Sequence, residues 1–170
     1  GFVIMHLLGN LLLFNDNPDP FNEYSHTLIS LGALLYVVEA GLVLFFIIHI
    51  MSGISVWHTN KKARPDQYKV LKSTGYPSRQ NISSRSMIYT GVVLGIFVVL
   101  HIITFKYGPY YTTTVDGVEM RDLYRLVREV FQSPLYVGWY VFAMIFLGFH
   151  LRHGFWSAFQ SLAFYHPKYT

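Results

Sequence analysis

Eight histidines stand in a chain of 170 residues that is 52% hydrophobic and only 13% charged. His6, His49, His101 and His150 each fall inside a different long apolar run. His26, His58 and His166 fall at loops or at the ends of the runs, and His153 is a near neighbour of His150. An ionisable side chain within an apolar span is costly and marks function by default. A single one is satisfied by an interhelical hydrogen bond; one in each of four runs points to a shared task as ligands. Zinc would want four ligands, usually with Cys or carboxylate company. Copper sites draw on Cys and Met, and this chain has no Cys. Haem iron needs only two axial imidazole nitrogens and room for a flat macrocycle between helices.

The elements that must position these histidines are the apolar runs themselves, at 2–14, 31–57, 87–107 and 135–164. The last three are each long enough to cross a bilayer core, which takes about 20 helical residues. The first, about 20 Å long at 1.5 Å per residue, is too short. The chain opens inside it with Gly1, so it reads as the outer part of a span whose start is missing. A charge share about half that of water-soluble domains excludes an ordinary soluble enzyme, a disordered chain and a nucleic-acid binder. The expected fold is all-α: one transmembrane helical bundle over 1–170, with four visible spans.

Charge sets the expected orientation. Seven basic residues (Lys61, Lys62, Arg64, Lys69, Lys72, Arg79 and Arg85) face only Asp66 in the 60–85 loop. The positive-inside rule puts that loop in the cytoplasm. The 15–30 link, with acids and no Lys or Arg, and the 108–134 loop then lie outside. Asn17-Pro18-Asp19-Pro20 is expected to stop the first helix in a turn. Within the outer loop, 118–132 reads as an amphipathic helix lying flat on the surface, with Met120, Leu123, Val127 and Phe131 on its apolar face. Pro134 sets the start of the last span, and Tyr and Trp near the span ends fit an interfacial belt.

Depth along these helices sorts the four histidines into pairs. His49 and His150 each lie ten residues from the inner end of their run, about 15 Å deep. His6 and His101 lie near the outer ends, and the two layers are roughly 10 Å apart by the same rise. Gly53 and Gly154 follow His49 and His150 at i+4 on the same face, where a missing side chain lets a porphyrin approach the backbone. Gly9 and Asn10 stand at i+3 and i+4 from His6. Two histidines 13 or 14 apart on one helix, the pattern of the quinol-oxidising cytochrome b, do not occur; His58 is 9 residues from His49, on the opposite face.

Spread along the chain, these residues resemble the single-subunit dihaem cytochrome b anchor of succinate:quinone oxidoreductases and fumarate reductases. The resemblance lies in His6 with Asn10; Phe21-Asn22 with His26; His49 with Gly53, Thr59 and Lys61; His101; Ser133-Pro134; and His150 with Gly154, Trp156 and Ser157. It implies five spanning helices, the fifth absent from this chain. It also implies two haem b groups, with His49 and His150 on the proximal iron and His6 and His101 on the distal one. The implied partners are a flavoprotein with FAD, an iron–sulfur subunit, membrane lipid and a quinone, menaquinone in the family's dihaem members. No nucleic acid is expected, and a higher oligomer of the complex is compatible with the reading. The implied location is a bacterial or archaeal-type cytoplasmic membrane, with the basic loop docking the hydrophilic subunits. Some members carry a glutamate two residues before the fourth ligand; Gly148 stands there, so the compensating proton path is not expected.

Glu39 is the one acid well inside an apolar run. It stands near the outer haem level and is the candidate for proton exchange with a quinone, with His26 beside it. The alternative for Glu39 is to snorkel to the outer surface or to bond another helix. Lys61, Lys62, Arg85 and Arg152 are candidates for haem propionates. Two other functions fit the chemistry: the dihaem cytochrome b of a membrane hydrogenase or formate dehydrogenase, and a non-enzymatic haem carrier or scaffold. A carrier must release haem, which argues for an open edge rather than two closed pairs.

Overall fold

The computed structural model describes residues 1–63, 86–162 and 164. Most of the basic 60–85 loop, including Arg85, lies outside the described residues, as does His166. The described chain is mostly helical: α1 (Phe2–Asn10), running into a 3₁₀ turn (Leu11–Phe14), α2 (Asp19–Ser30), α3 (Ala33–Ala63) and α4 (Met87–Phe105) come first. A hairpin of β1 (Thr112–Val115) and β2 (Val118–Arg121), then α5 (Leu123–Val130) and α6 (Pro134–Ser161), follow.

Among the described residues, α3, α4 and α6 are long and apolar enough to cross a membrane. Their side chains are almost entirely unburied by the chain itself. In water that much exposed Leu, Ile, Val and Phe would be untenable, which is consistent with an integral membrane protein. The 2–14 run forms a shorter apolar helix. Lys61 and Lys62 close α3, where cations complement the helix C-terminus.

The chain divides into two compact units. The first comprises Gly1–Leu44 and Val99–Trp139, the second Phe45–Val98 and Tyr140–Thr170. Both draw residues from α3, α4 and α6.

Two expectations for the first unit are corrected. The 15–30 link is not only a turn: it carries the twelve-residue helix α2. Asn17 ends the turn by accepting the Asp19 N–H at 3.1 Å, and Pro20 occupies the first turn of α2, where its missing N–H costs nothing. The expected amphipathic helix at 118–132 is split, so the chain is not purely α. Residues 118–121 pair antiparallel with 112–115. Asp116 and Gly117, at φ 52° and 79°, make the tight turn. An Asp-Gly pair between β-branched residues favours this hairpin because both turn positions need positive φ.

The helical part of the expected stretch is α5. It packs on α2, burying Tyr124 and Leu126, while Phe131 stays exposed. The reason is one buried amide. Asn22 accepts the Tyr124 backbone N–H at 3.0 Å and donates to Asp122 at 3.0 Å. Asp122 in turn caps α5 by accepting from the Arg125 N–H at 3.0 Å. An Asn buried in an apolar contact must have its bonds made, so the pairing fixes which face of α5 turns inward. On the outer side of α5, Glu129 accepts from Arg125 Nε at 2.9 Å and from the Tyr111 hydroxyl at 2.7 Å. Those two bonds, Arg125's first, hold its carboxyl below the usual carboxylate range.

Candidate functional site

Each unit holds one pair of histidines from the apolar helices. In the first unit the rings of His6 (α1) and His101 (α4) have centroids 5.7 Å apart and planes 81° apart. In the second, His49 (α3) and His150 (α6) have centroids 5.8 Å apart and planes at 76°. These are the pairs that depth along the helices predicted. Two imidazole nitrogens bound in line to one metal at about 2.0–2.1 Å each leave the ring centres roughly 6 Å apart. The observed separations suit that arrangement. Edge-to-face aromatic packing has a similar separation. The same geometry recurs twice, from four different apolar helices.

Among the described residues no three His, Asp or Glu side chains gather where they could hold a metal ion.

The surroundings of the two pairs differ. His6 is stacked on Phe2, centroids 5.6 Å apart at 9°, and His101 meets Phe105 at 5.3 Å. On the other pair, the Nδ1 of His150 lies 3.0 Å from the Thr90 hydroxyl oxygen. Thr90, on α4, is the buried polar residue that sequence reading missed. A hydroxyl one helical position before a glycine carries no motif; only its place beside His150 distinguishes it.

The glycines also divide. Beside Gly53 and Gly154 a Cβ would meet nothing within 4 Å. Gly41, Gly95, Gly138 and Gly148 are equally open, so openness alone does not single out these two. Gly9 differs: a Cβ there would stand 2.5 Å from Cε1 of Tyr24. The space beside His6 at i+3 is filled by the chain's own α2, so Gly9 serves helix packing.

Glu39 is ion-paired with Lys106, the residue after the end of α4. Lys106 also lies over the rings of Tyr36 (5.9 Å) and Tyr107 (5.7 Å). The pair ties α3 to the segment that follows α4. His26 is half-buried on α2 and, among the described residues, makes no hydrogen bond or ion pair, so it is not joined to Glu39. His58 lies exposed on α3, and His153 meets the Ser157 hydroxyl at 3.3 Å. Of the propionate candidates, Lys61 lies over Trp57 at 5.2 Å and Arg152 is exposed. Compared with protein-family models, characterised proteins and solved structures, the chain has no match.

Proposed function

We propose that the protein is the dihaem cytochrome b anchor of a succinate:quinone oxidoreductase, with one b haem held by His49 and His150 and the other by His6 and His101. The observation that carries the reading is the pair of histidine pairs, one in each unit, on four apolar helices. When bound, two haems supply a one-electron relay between an iron–sulfur subunit and a membrane quinone. The chain's own residues do the rest. The four imidazoles present nitrogen lone pairs inside a region where water is excluded. The apolar side chains around them keep the local dielectric low, which sets the potentials together with hydrogen bonds to the ligands.

Quinone reduction takes up two protons, so its site needs groups that exchange protons with water. Glu39 and Lys106 meet that need, with the carboxyl as the group to be protonated and the ammonium holding it in place. The acid-containing 15–30 link fits the outer side. Electrons would then cross outward while protons are taken from outside, which couples turnover to the membrane potential at about 2.3 kcal/mol per charge per 100 mV. The basic 60–85 loop would dock the flavoprotein and iron–sulfur subunits on the cytoplasmic side.

Purification from native membranes tests the assignment. A flavoprotein and an iron–sulfur subunit should co-purify, and the preparation should oxidise succinate with an added quinone. Co-purification of a hydrogenase or formate dehydrogenase would move the same cytochrome to a different complex. A haem-containing chain with no redox partner would make it a carrier.

A further inference from the structure

The geometry points to Thr90 as the positioning residue of one haem ligand: it fixes the ring proton of His150 on Nδ1 and so presents Nε2, with its lone pair, to the iron. The inference rests on the dihaem reading and goes beyond it, because it says which nitrogen binds and what holds the ring.

Thr90 is 2% exposed and sits on the first turn of α4. Its hydroxyl has one proton and two oxygen lone pairs. The oxygen lies 3.0 Å from the Met87 carbonyl oxygen and 3.0 Å from Nδ1 of His150. Both contacts are satisfied together when the hydroxyl donates to Met87 and accepts from an Nδ1–H. A neutral imidazole has one such hydrogen. Nε2 is left as the acceptor atom, the form that ligates a metal. The ring also runs close along α4: a Cβ on Gly91 would lie 3.7 Å from Cε1 of His150. Thr90 thus holds the Nδ1 side of the ring and leaves Nε2 to a ligand.

A hydrogen bond donated from the far nitrogen makes an imidazole a stronger electron donor, and losing such a partner weakens metal binding by about 10- to 100-fold. A stronger donor favours ferric iron. Removing the Thr90 hydroxyl should therefore raise the potential of this haem as well as loosen it.

The test uses the full-length protein purified with its haem, as wild type, Thr90→Val and Thr90→Ser. Valine matches threonine in shape and lacks only the hydroxyl. In Thr90→Val the haem that His150→Ala removes should dissociate about 10- to 100-fold more readily, titrate at a higher potential and show altered low-spin ferric EPR g values. The haem that His6→Ala removes should be unchanged. Thr90→Ser should restore all three properties. Should Thr90→Val fail to accumulate, Thr90→Ala and Thr90→Ser both lack the methyl and differ in the hydroxyl; only the alanine variant should show the change. Two haems in wild type with no change in the Val or Ala variant would overturn the role of Thr90 while leaving the dihaem reading standing. A wild-type protein without haem would overturn both.

Discussion

The two histidine pairs match in separation, 5.7 and 5.8 Å, yet their surroundings are built differently. The His6–His101 pair sits with aromatic rings, Phe2 and Phe105, in a unit that also holds α2, the hairpin and α5. That unit is ordered by polar detail, with Asn22 and Asp122 joining α2 to α5. The His49–His150 pair sits in a unit whose described elements are long helices alone, and its polar partner is the Thr90 hydroxyl. Where the chain runs through an apolar region, polar groups are few because each needs a partner. One of those few, Thr90, meets the His150 ring. Where the chain lies outside the spans, polar groups fix the fold.

The largest effects should come from the ligands. His49→Ala or His150→Ala should remove one haem component from the reduced-minus-oxidised spectrum, and His6→Ala or His101→Ala the other. The inner variants should also weaken assembly with the hydrophilic subunits. If His6→Ala and His49→Ala abolish the same component, the pairing is wrong.

Glu39→Gln comes next. It should leave haem content and dye reduction at the hydrophilic subunits intact while slowing succinate-dependent quinone reduction at least tenfold, a modest share of what a positioned acid–base group supplies. Lys106→Met should act in the same direction, because the carboxyl loses the ammonium that holds it. Wild-type rates in both variants would make the ion pair structural.

The glycines sharpen the contrast between the units. Gly9→Ala drives a methyl into the Tyr24 ring and should destabilise the fold by about 1–3 kcal/mol, read as a lower midpoint in detergent. Gly53→Leu and Gly154→Leu enter open space. They should leave the melting midpoint of the haem-free protein unchanged and lower the haem content of the His49–His150 pair. Equal haem content in these two variants would remove the glycines from the site.

The smallest effect concerns Glu129. Its carboxyl titrates below its usual value of about 4.3 because Arg125, and then Tyr111, bond the charged form. A carboxylate with a depressed folded pKa adds stability that is present above the unfolded pKa and disappears as pH falls through the folded one. Amide exchange in α5 should be faster in Glu129→Gln than in wild type at neutral pH. The two should converge below the folded pKa of Glu129.

How much of this was legible in the sequence follows from length scales. The spans are legible because about 20 apolar residues in a row have few other uses. The histidine pairs are legible because a helix rises uniformly, so counting from the ends gives depth. Over 118–132 the helix is legible only in its later part, because Met120, Leu123, Val127 and Phe131 fit a helical stripe while the Asp116-Gly117 turn signal beside it starts a strand. A stripe of four apolar residues also fits a strand followed by a helix. Asn22 was noted only as part of a resemblance; nothing local says that its amide will bridge residues a hundred positions away. Thr90 was invisible for the same reason, since its partner is sixty residues distant. Long-range polar pairs are set by packing, and hydropathy has no information on them.

The central claim is that the two histidine pairs hold two haems. A pyridine haemochrome assay on the purified chain, with the ferric optical spectrum alongside, tests it most directly. The account predicts two b haems per polypeptide, both six-coordinate and low-spin, because each iron has two imidazoles. One haem per chain, none, or a high-spin spectrum would contradict it.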